Sequence, residues 1–199
     1  MASTQDRREL RRRLLQVAGG HSGMFTAAQA KQAGYSYAAQ RYHVEHGNWN
    51  RIDRGLFRLP DWPTGPHEDL VRWVLWSGGR AVVSYETALS VHGLGDVDPA
   101  RVHLTVPPSF RMSSPGAVFH KQELPHSDIQ HLEGFPVTTP IRTVLDVAAG
   151  QLDQDQLTRA VHQALDDGLV TKRRLLERAD AFGAHAALRI ERALAAGGR

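Results

Sequence analysis

The sequence predicts an α+β fold in two parts: a winged helix-turn-helix over residues 1–60, and from residue 67 onward a mixed domain with a small sheet and a C-terminal helical part. Three observations predict it. Two short capped segments flank a turn at Gly34, an arginine-bearing hairpin follows over Trp49–Leu59, and the Pro-rich break Leu59-Pro60-Asp61-Trp62-Pro63-Thr64-Gly65-Pro66 precedes alternating short strands and helices.

The head is expected to begin with a helix from Arg7 to Ala18, its apolar side supplied by Leu10, Leu14, Leu15 and Val17, ended by Gly19-Gly20. Thr26 is placed to cap a second helix over Ala27–Ala33, closed by Gly34. Ser36 caps a third, from Tyr37 to about His46, with Val44 as its core anchor. Trp49–Asp53 and Leu56–Leu59 are strand-like and flank Arg54-Gly55. A two-residue turn there sets Arg51 opposite Arg58, a like-charge pair that needs an anion between its members. A three-residue loop with Gly55 in a bulge fits the residues equally well.

Beyond the break, Glu68–Trp76 and Thr87–His92 read as helices, and Ala81–Ser84, Val102–Val106, Ala117–His120 and Phe135–Thr138 as strands. From Thr139 the chain turns helical, with Pro140 in a first turn and Arg142 four residues before Asp146, the spacing of a helix ion pair. Further helices are expected over Asp153–Asp167, from Thr171, and over Ala184–Ala196.

The 199 residues carry 24 Lys/Arg and 21 Asp/Glu, unevenly placed. Ten basic and four acidic residues fall in positions 1–60, so a basic head precedes a slightly acidic body, and the head is the part suited to a polyanion. There is no cysteine, which removes disulfides and thiolate metal sites and fits a reducing cytoplasm. No apolar run reaches membrane-spanning length, and the charged start MASTQDRRELRRRLL argues against export.

In a helix-turn-helix the second helix enters the major groove, its first residues reaching base edges while flanking groups hold phosphates. The residues so placed are Ser36, Tyr37, Gln40 and Arg41: Gln40 suits adenine, Arg41 guanine, and Ser36 with the helix-start N–H groups a phosphate. Arg51, Arg54 and Arg58 of the hairpin are expected on the DNA backbone or minor groove. The expected partner is double-stranded DNA.

The stretch Val44-Glu45-His46-Gly47-Asn48-Trp49-Asn50-Arg51-Ile52-Asp53-Arg54-Gly55-Leu56-Phe57-Arg58-Leu59 resembles the V-x-x-G-x-W-x-R-V-x-R-G-V-Y-R-L pattern of AbiEi-type antitoxins, with Phe57 in place of the usual Tyr. Ser84-Tyr85-Glu86-Thr87-Ala88, His92-Gly93-Leu94, Val102–Pro107 and the run Val137-Thr138-Thr139-Pro140 with Arg142-Thr143 and Asp146 resemble their second domain, and the likeness covers roughly residues 10–180. The resemblance implies the antitoxin of a type IV toxin–antitoxin system. Such a protein represses its own promoter by binding inverted repeats, as a homodimer or as cooperative monomers, and counteracts a nucleotidyltransferase toxin through its C-terminal domain. It also implies no enzyme. The nuclease domain that some relatives append after the helical part is expected to be missing. The alternative is a stand-alone winged-helix regulator whose C-terminal domain senses an effector.

Enzymatic readings find little in the residues. His120, His126 and His131 lack metal-ligand spacing. Ser84, His92 and Asp96 form a nominal triad without a nucleophile elbow, and Ser77-Gly78-Gly79 with Asp96 and Asp98 runs in the wrong order for a nucleotidyltransferase. No cofactor or metal is expected. Tyr85, Arg142 and Asp146 lie in the family-like runs, but structural roles explain them equally well, and no convergent polar cluster for a ligand is foreseen in the second domain.

Overall fold

The computed structural model describes residues 4–196 and is α+β. The chain divides into two compact units: one runs to Gly79 and takes in Leu132–Phe135, the other holds Arg80–His131 and resumes at Pro136.

The first unit contains α1 (Thr4–Gly19), β1 (Met24–Thr26), α2 (Ala27–Gln32), α3 (Tyr37–Glu45), β2 (Asn50–Asp53), β3 (Leu56–Arg58) and α4 (Glu68–Trp76). Local chemistry sets the helix starts. The Thr26 hydroxyl accepts from Gln29 N while the Gln29 side chain accepts from Thr26 N, a reciprocal capping box. Ser36 Oγ accepts from Ala39 N at 3.2 Å and opens α3. Between the two helices Gly34 adopts φ +109°, which favours glycine, and a Cβ there would lie 2.3 Å from Leu10 Cδ2 and push that side chain aside.

The strand β1 was not foreseen. It pairs antiparallel with β3 and makes a three-stranded sheet in the order β1-β3-β2, so the second hairpin strand is central. Phe25, on β1, is fully buried among Leu14, Ala30, Tyr35, Trp49 and Phe57, with the Trp49 ring edge-on at 4.9 Å. Val44 packs against this cluster and is partly buried.

The hairpin register departs from the like-charge arrangement. Asn50 lies opposite Arg58, Arg51 opposite Phe57 and Asp53 opposite Leu56, with an irregularity between Arg51 and Asp53 and Gly55 at φ +71°. The extra residue on β2 separates the two arginines that a regular two-residue hairpin would face across the strands.

The expected boundary at the Pro-rich stretch lies inside this unit. Glu68, the first residue of α4, binds back to both sides of the stretch: Oε1 accepts from Arg58 Nη2 at 2.7 Å and from Gly65 N at 3.0 Å. The prolines therefore shape a held connection, and α4 packs against β1.

Apart from Leu132 and Phe135, the second unit is built on β4 (Val82–Val83), α5 (Tyr85–Val91), β5 (Val102–Val106), β6 (Ala117–Lys121), a 3-10 turn at His126–Asp128, β7 (Ile129–Leu132) and β8 (Phe135–Thr138). Four helices follow: α6 (Pro140–Ala149), α7 (Gln154–Asp166), α8 (Lys172–Phe182) and α9 (Ala184–Ala196). The strands form one sheet in the order β6-β5-β4-β8-β7, with β4 antiparallel to β5 and parallel to β8, and β5 parallel to β6. Leu89, Leu145, Leu157, Val161, Leu175 and Ile190 fill a helical core.

One buried cation closes this core. Arg189 on α9 donates through Nη1 to the carbonyls of Val147, Ala148 and Gly150, through Nη2 to Leu152 O, and through Nε to Gln154 Oε1. A positive charge thus meets the carbonyl end of α6, where the helix leaves acceptors unpaired and its dipole is negative.

Candidate nucleic-acid interface

The solvent side of α3 carries Tyr37, Ala38, Arg41, Tyr42 and Glu45, all exposed. Tyr37 is 63% exposed, and the Lys31 ammonium sits 5.2 Å from its ring centre, so a cation from α2 joins the same surface. Ser36 is exposed at the helix start with its hydroxyl engaged as the cap.

The hairpin supplies the second wall. Arg51 and Arg54 are exposed, and at the turn Arg54 N donates to Asp53 Oδ1 at 2.6 Å. A groove of about 350 Å³ runs between hairpin and helix, lined by Tyr37, Gln40, Arg41 and Glu45 on one side and Arg51, Gly55 and Phe57 on the other. Of the residues expected at DNA, the fold brings Tyr37, Arg41 and Arg51 to one groove and leaves Arg54 at its open hairpin end.

Two of the residues expected at DNA, Gln40 and Arg58, are engaged within the fold. Gln40 is 4% exposed, and its Nε2 donates to Ala27 O and Tyr35 O, both at 3.0 Å. Both amide protons are spent holding α3 on the turn before it, so the side chain cannot offer an adenine the paired donor and acceptor. Arg58 points away from the hairpin surface: Nη2 donates to Glu68 Oε1, to Trp62 O at 3.0 Å and to Pro63 O at 3.4 Å. It is a tether within the fold. Lys31 was not among the expected residues, because its place beside Tyr37 depends on how α2 packs against α3.

Two family profiles match the chain. One, described as transcriptional regulator, AbiEi antitoxin, spans residues 12–60, and the other, described as AbiEi antitoxin C-terminal domain, spans residues 81–195. The chain belongs to the AbiEi antitoxin family. No curated protein matches it. Among solved structures it is similar to the RV2827C protein from Mycobacterium tuberculosis, at 16% identity and a TM-score of 0.60, over 96% of this chain and 78% of that one. At that identity the likeness concerns the fold.

The part that matches the AbiEi C-terminal profile holds polar groups that are largely turned on one another. Arg142 bridges Asp146, at 2.8 Å on its own helix, and Asp128, at 3.0 Å from the 3-10 turn; Arg178 of α8 joins Asp128 at 2.9 Å. Burial pushes the Asp146 carboxyl up to about 6, with Arg142 only partly offsetting it. The expected Arg142–Asp146 pair is therefore present, as part of a larger buried network.

A second cluster lies at β5 and β6. His103 Nδ1 is 2.6 Å from Glu86 Oε2 and 3.2 Å from His120 Nε2, and Tyr85, at φ +52°, stacks on His120 with ring centres 3.5 Å apart. Burial, then the neighbouring His103, lowers the His120 imidazole to about 4, so it is neutral at pH 7. The nominal triad does not assemble. Ser84 Oγ accepts from Thr105 Oγ1, and His92 Nε2 donates to Thr138 O at 2.8 Å. Among the described residues no group of three His, Asp or Glu is placed to hold a metal ion, and no helix is long and apolar enough to cross a membrane.

Proposed function

We propose that this AbiEi-family protein is a DNA-binding autorepressor and the antitoxin of a type IV toxin–antitoxin system, acting in the cytoplasm. Residues 1–60 take the DNA and residues 67–199 carry the antitoxin function. The observation that supports DNA binding is the groove that collects Tyr37, Arg41 and Arg51, with Arg54 and Lys31 at its margins. Arg41 reads a base edge, its guanidinium fork matching guanine N7 and O6. Arg51, Arg54, Lys31 and the Ser36 end of α3 hold phosphates and set the register. On an inverted-repeat operator two copies bind, as a homodimer or cooperatively.

The test is retention of DNA from upstream of the protein's own gene. Arg41→Ala should lower affinity by about 1–3 kcal/mol and relax preference at one base pair. Undiminished, equally selective binding by Arg41→Ala and by the Arg51→Ala/Arg54→Ala double variant would overturn the assignment. The antitoxin half is tested separately, by co-expressing a neighbouring nucleotidyltransferase gene with and without residues 67–199. Growth arrest relieved only by the intact chain supports it; a neighbour that is harmless alone removes it and leaves the effector-sensing regulator.

A further inference from the structure

The recognition helix has two working sides. His43 lies two positions after Arg41, about 200° further round the helix, so it faces the opposite way. There, between α1, the C-terminal end of α3 and the segment after β3, the first unit holds a second cavity of about 630 Å³. That volume is within the range of small-molecule sites. Its walls include Leu14, Tyr35, His43, Trp49 and Trp62, with Arg11 and Asp61 also lining it.

The chemistry of these walls is specific. The His43 imidazole stacks on Trp49, ring centres 4.7 Å apart and 15° from parallel, and meets Tyr35 edge-on at 5.2 Å. Its Nδ1 is buried without a hydrogen-bond partner and is closed off from the cavity, so the ring presents its apolar edge there. Burial, then the nearby His46, holds the imidazole below its ordinary value, so it meets a ligand uncharged. Arg11 and Asp61 are both exposed and add one charge of each sign.

We propose that this cavity binds a small aromatic zwitterion of the aromatic amino-acid class and that its occupancy adjusts DNA binding by α3. The ring lies against the Tyr35–His43–Trp49–Trp62 wall, the carboxylate faces Arg11 and the ammonium Asp61. Because His43 and Arg41 share one rigid helix, a ligand that fixes the first biases the second. Linkage makes the effect reciprocal. The regulatory half rests on the proposed DNA reading; the binding half does not.

L-tryptophan is the probe, titrated into the full chain and followed by backbone amide shifts in ¹H–¹⁵N spectra. The inference expects saturable shifts at residues 43–49 and 59–62, at least about tenfold weaker in Arg11→Gln and Asp61→Asn, whose melting curves confirm folding. Tryptamine and indole-3-acetate, each lacking one charge, bind more weakly. No saturable shift up to about 10 mM (a free energy of only some 3 kcal/mol) overturns the site. Shifts centred elsewhere, or equal binding by both variants, overturn it too. A change of threefold or more in operator affinity at saturating L-tryptophan supports the coupling, and unchanged affinity removes it. Failure of the DNA reading is distinguishable, since the operator is then not retained with or without ligand while the shifts persist.

Discussion

Arg58 Nη2 lies 2.7 Å from Glu68 Oε1, joining the last residue of β3 to the first turn of α4 with both side chains less than a fifth exposed. This pair accounts for an arginine that a hairpin-based reading assigns to DNA. It also makes a stability prediction. Glu68→Gln and Arg58→Ala should each destabilise the fold by about 1–2 kcal/mol, less than a fully buried pair because the pair is partly hydrated. Arg41→Ala, on the open face of α3, should stay within about 0.5 kcal/mol of the parent. Urea denaturation measures all three; a Glu68→Gln protein as stable as the parent would show the tether to be inert.

Gln40 makes the sharper case. Its Nε2 satisfies two carbonyls inside the fold. Gln40→Glu replaces those donors with an acceptor against two carbonyls and should cost about 2–4 kcal/mol. Gln40→Met, which keeps the shape, should cost less. If Gln40→Glu left the melting temperature unchanged but altered base preference, the side chain would have to swing out to DNA.

Salt dependence separates phosphate contacts from base contacts. Removing Arg51 and Arg54 together should flatten the slope of log affinity against log salt by about 1.8, close to 0.9 for each phosphate released. Band-shift titrations over a range of potassium chloride give the slope directly. An unchanged slope would place both hairpin arginines away from the backbone.

The two titratable clusters of the C-terminal part should oppose one another. Asp146 is raised to about 6 from an ordinary 3.8, so its contribution is present below 3.8 and lost as pH rises through 6. His120 is lowered to about 4 from 6.5, so its contribution is complete above 6.5 and lost as pH falls toward 4. Between pH 4 and 6 the slopes have opposite sign. Asp146→Asn should therefore make stability climb more steeply with pH across that window, and His120→Asn should flatten or reverse the climb. Urea midpoints across the window decide it, and two variants with parallel profiles would refute the opposition.

Arg189→Leu should be among the most disruptive single changes, at about 3–5 kcal/mol, because it leaves several buried carbonyls without a donor. Chemical denaturation followed by circular dichroism would show it as a loss of cooperativity in the helical part. A mild effect would mean that water reaches the end of α6.

What the sequence revealed divides by the reach of the interaction. Thr26 and Ser36 were legible as caps because they act on residues three positions away. The apolar spacing of Glu68–Trp76 likewise matched α4. The partners of Gln40 include a carbonyl 13 residues back, and that of Arg58 lies 10 residues on; neither distance has a sequence signal. The strand β1, three residues long, was hidden because Phe25-Thr26 reads first as a helix entry. Asp128 stayed unseen for the same reason as Gln40: its arginines are 14 and 50 residues away. At the interface, Arg41, Arg51 and Arg54 were legible as exposed cations, whereas the separation of those from Arg58 required the fold.

The position of Arg189 also bears on the order in which the protein takes shape as it is made. The carbonyl of Val147 waits for a donor 42 residues further along the chain. At a synthesis rate of roughly 5–20 residues per second, that is a delay of a few seconds. During it α6 can form, but its carbonyl end stays wet and its apolar face uncovered until α9 leaves the ribosome. The first unit can complete most of its own sheet and helices well before then. A nascent chain stalled between residues 150 and 185 would thus display a finished N-terminal fold beside a half-built helical one, the state in which chaperones and proteases have their best access to it.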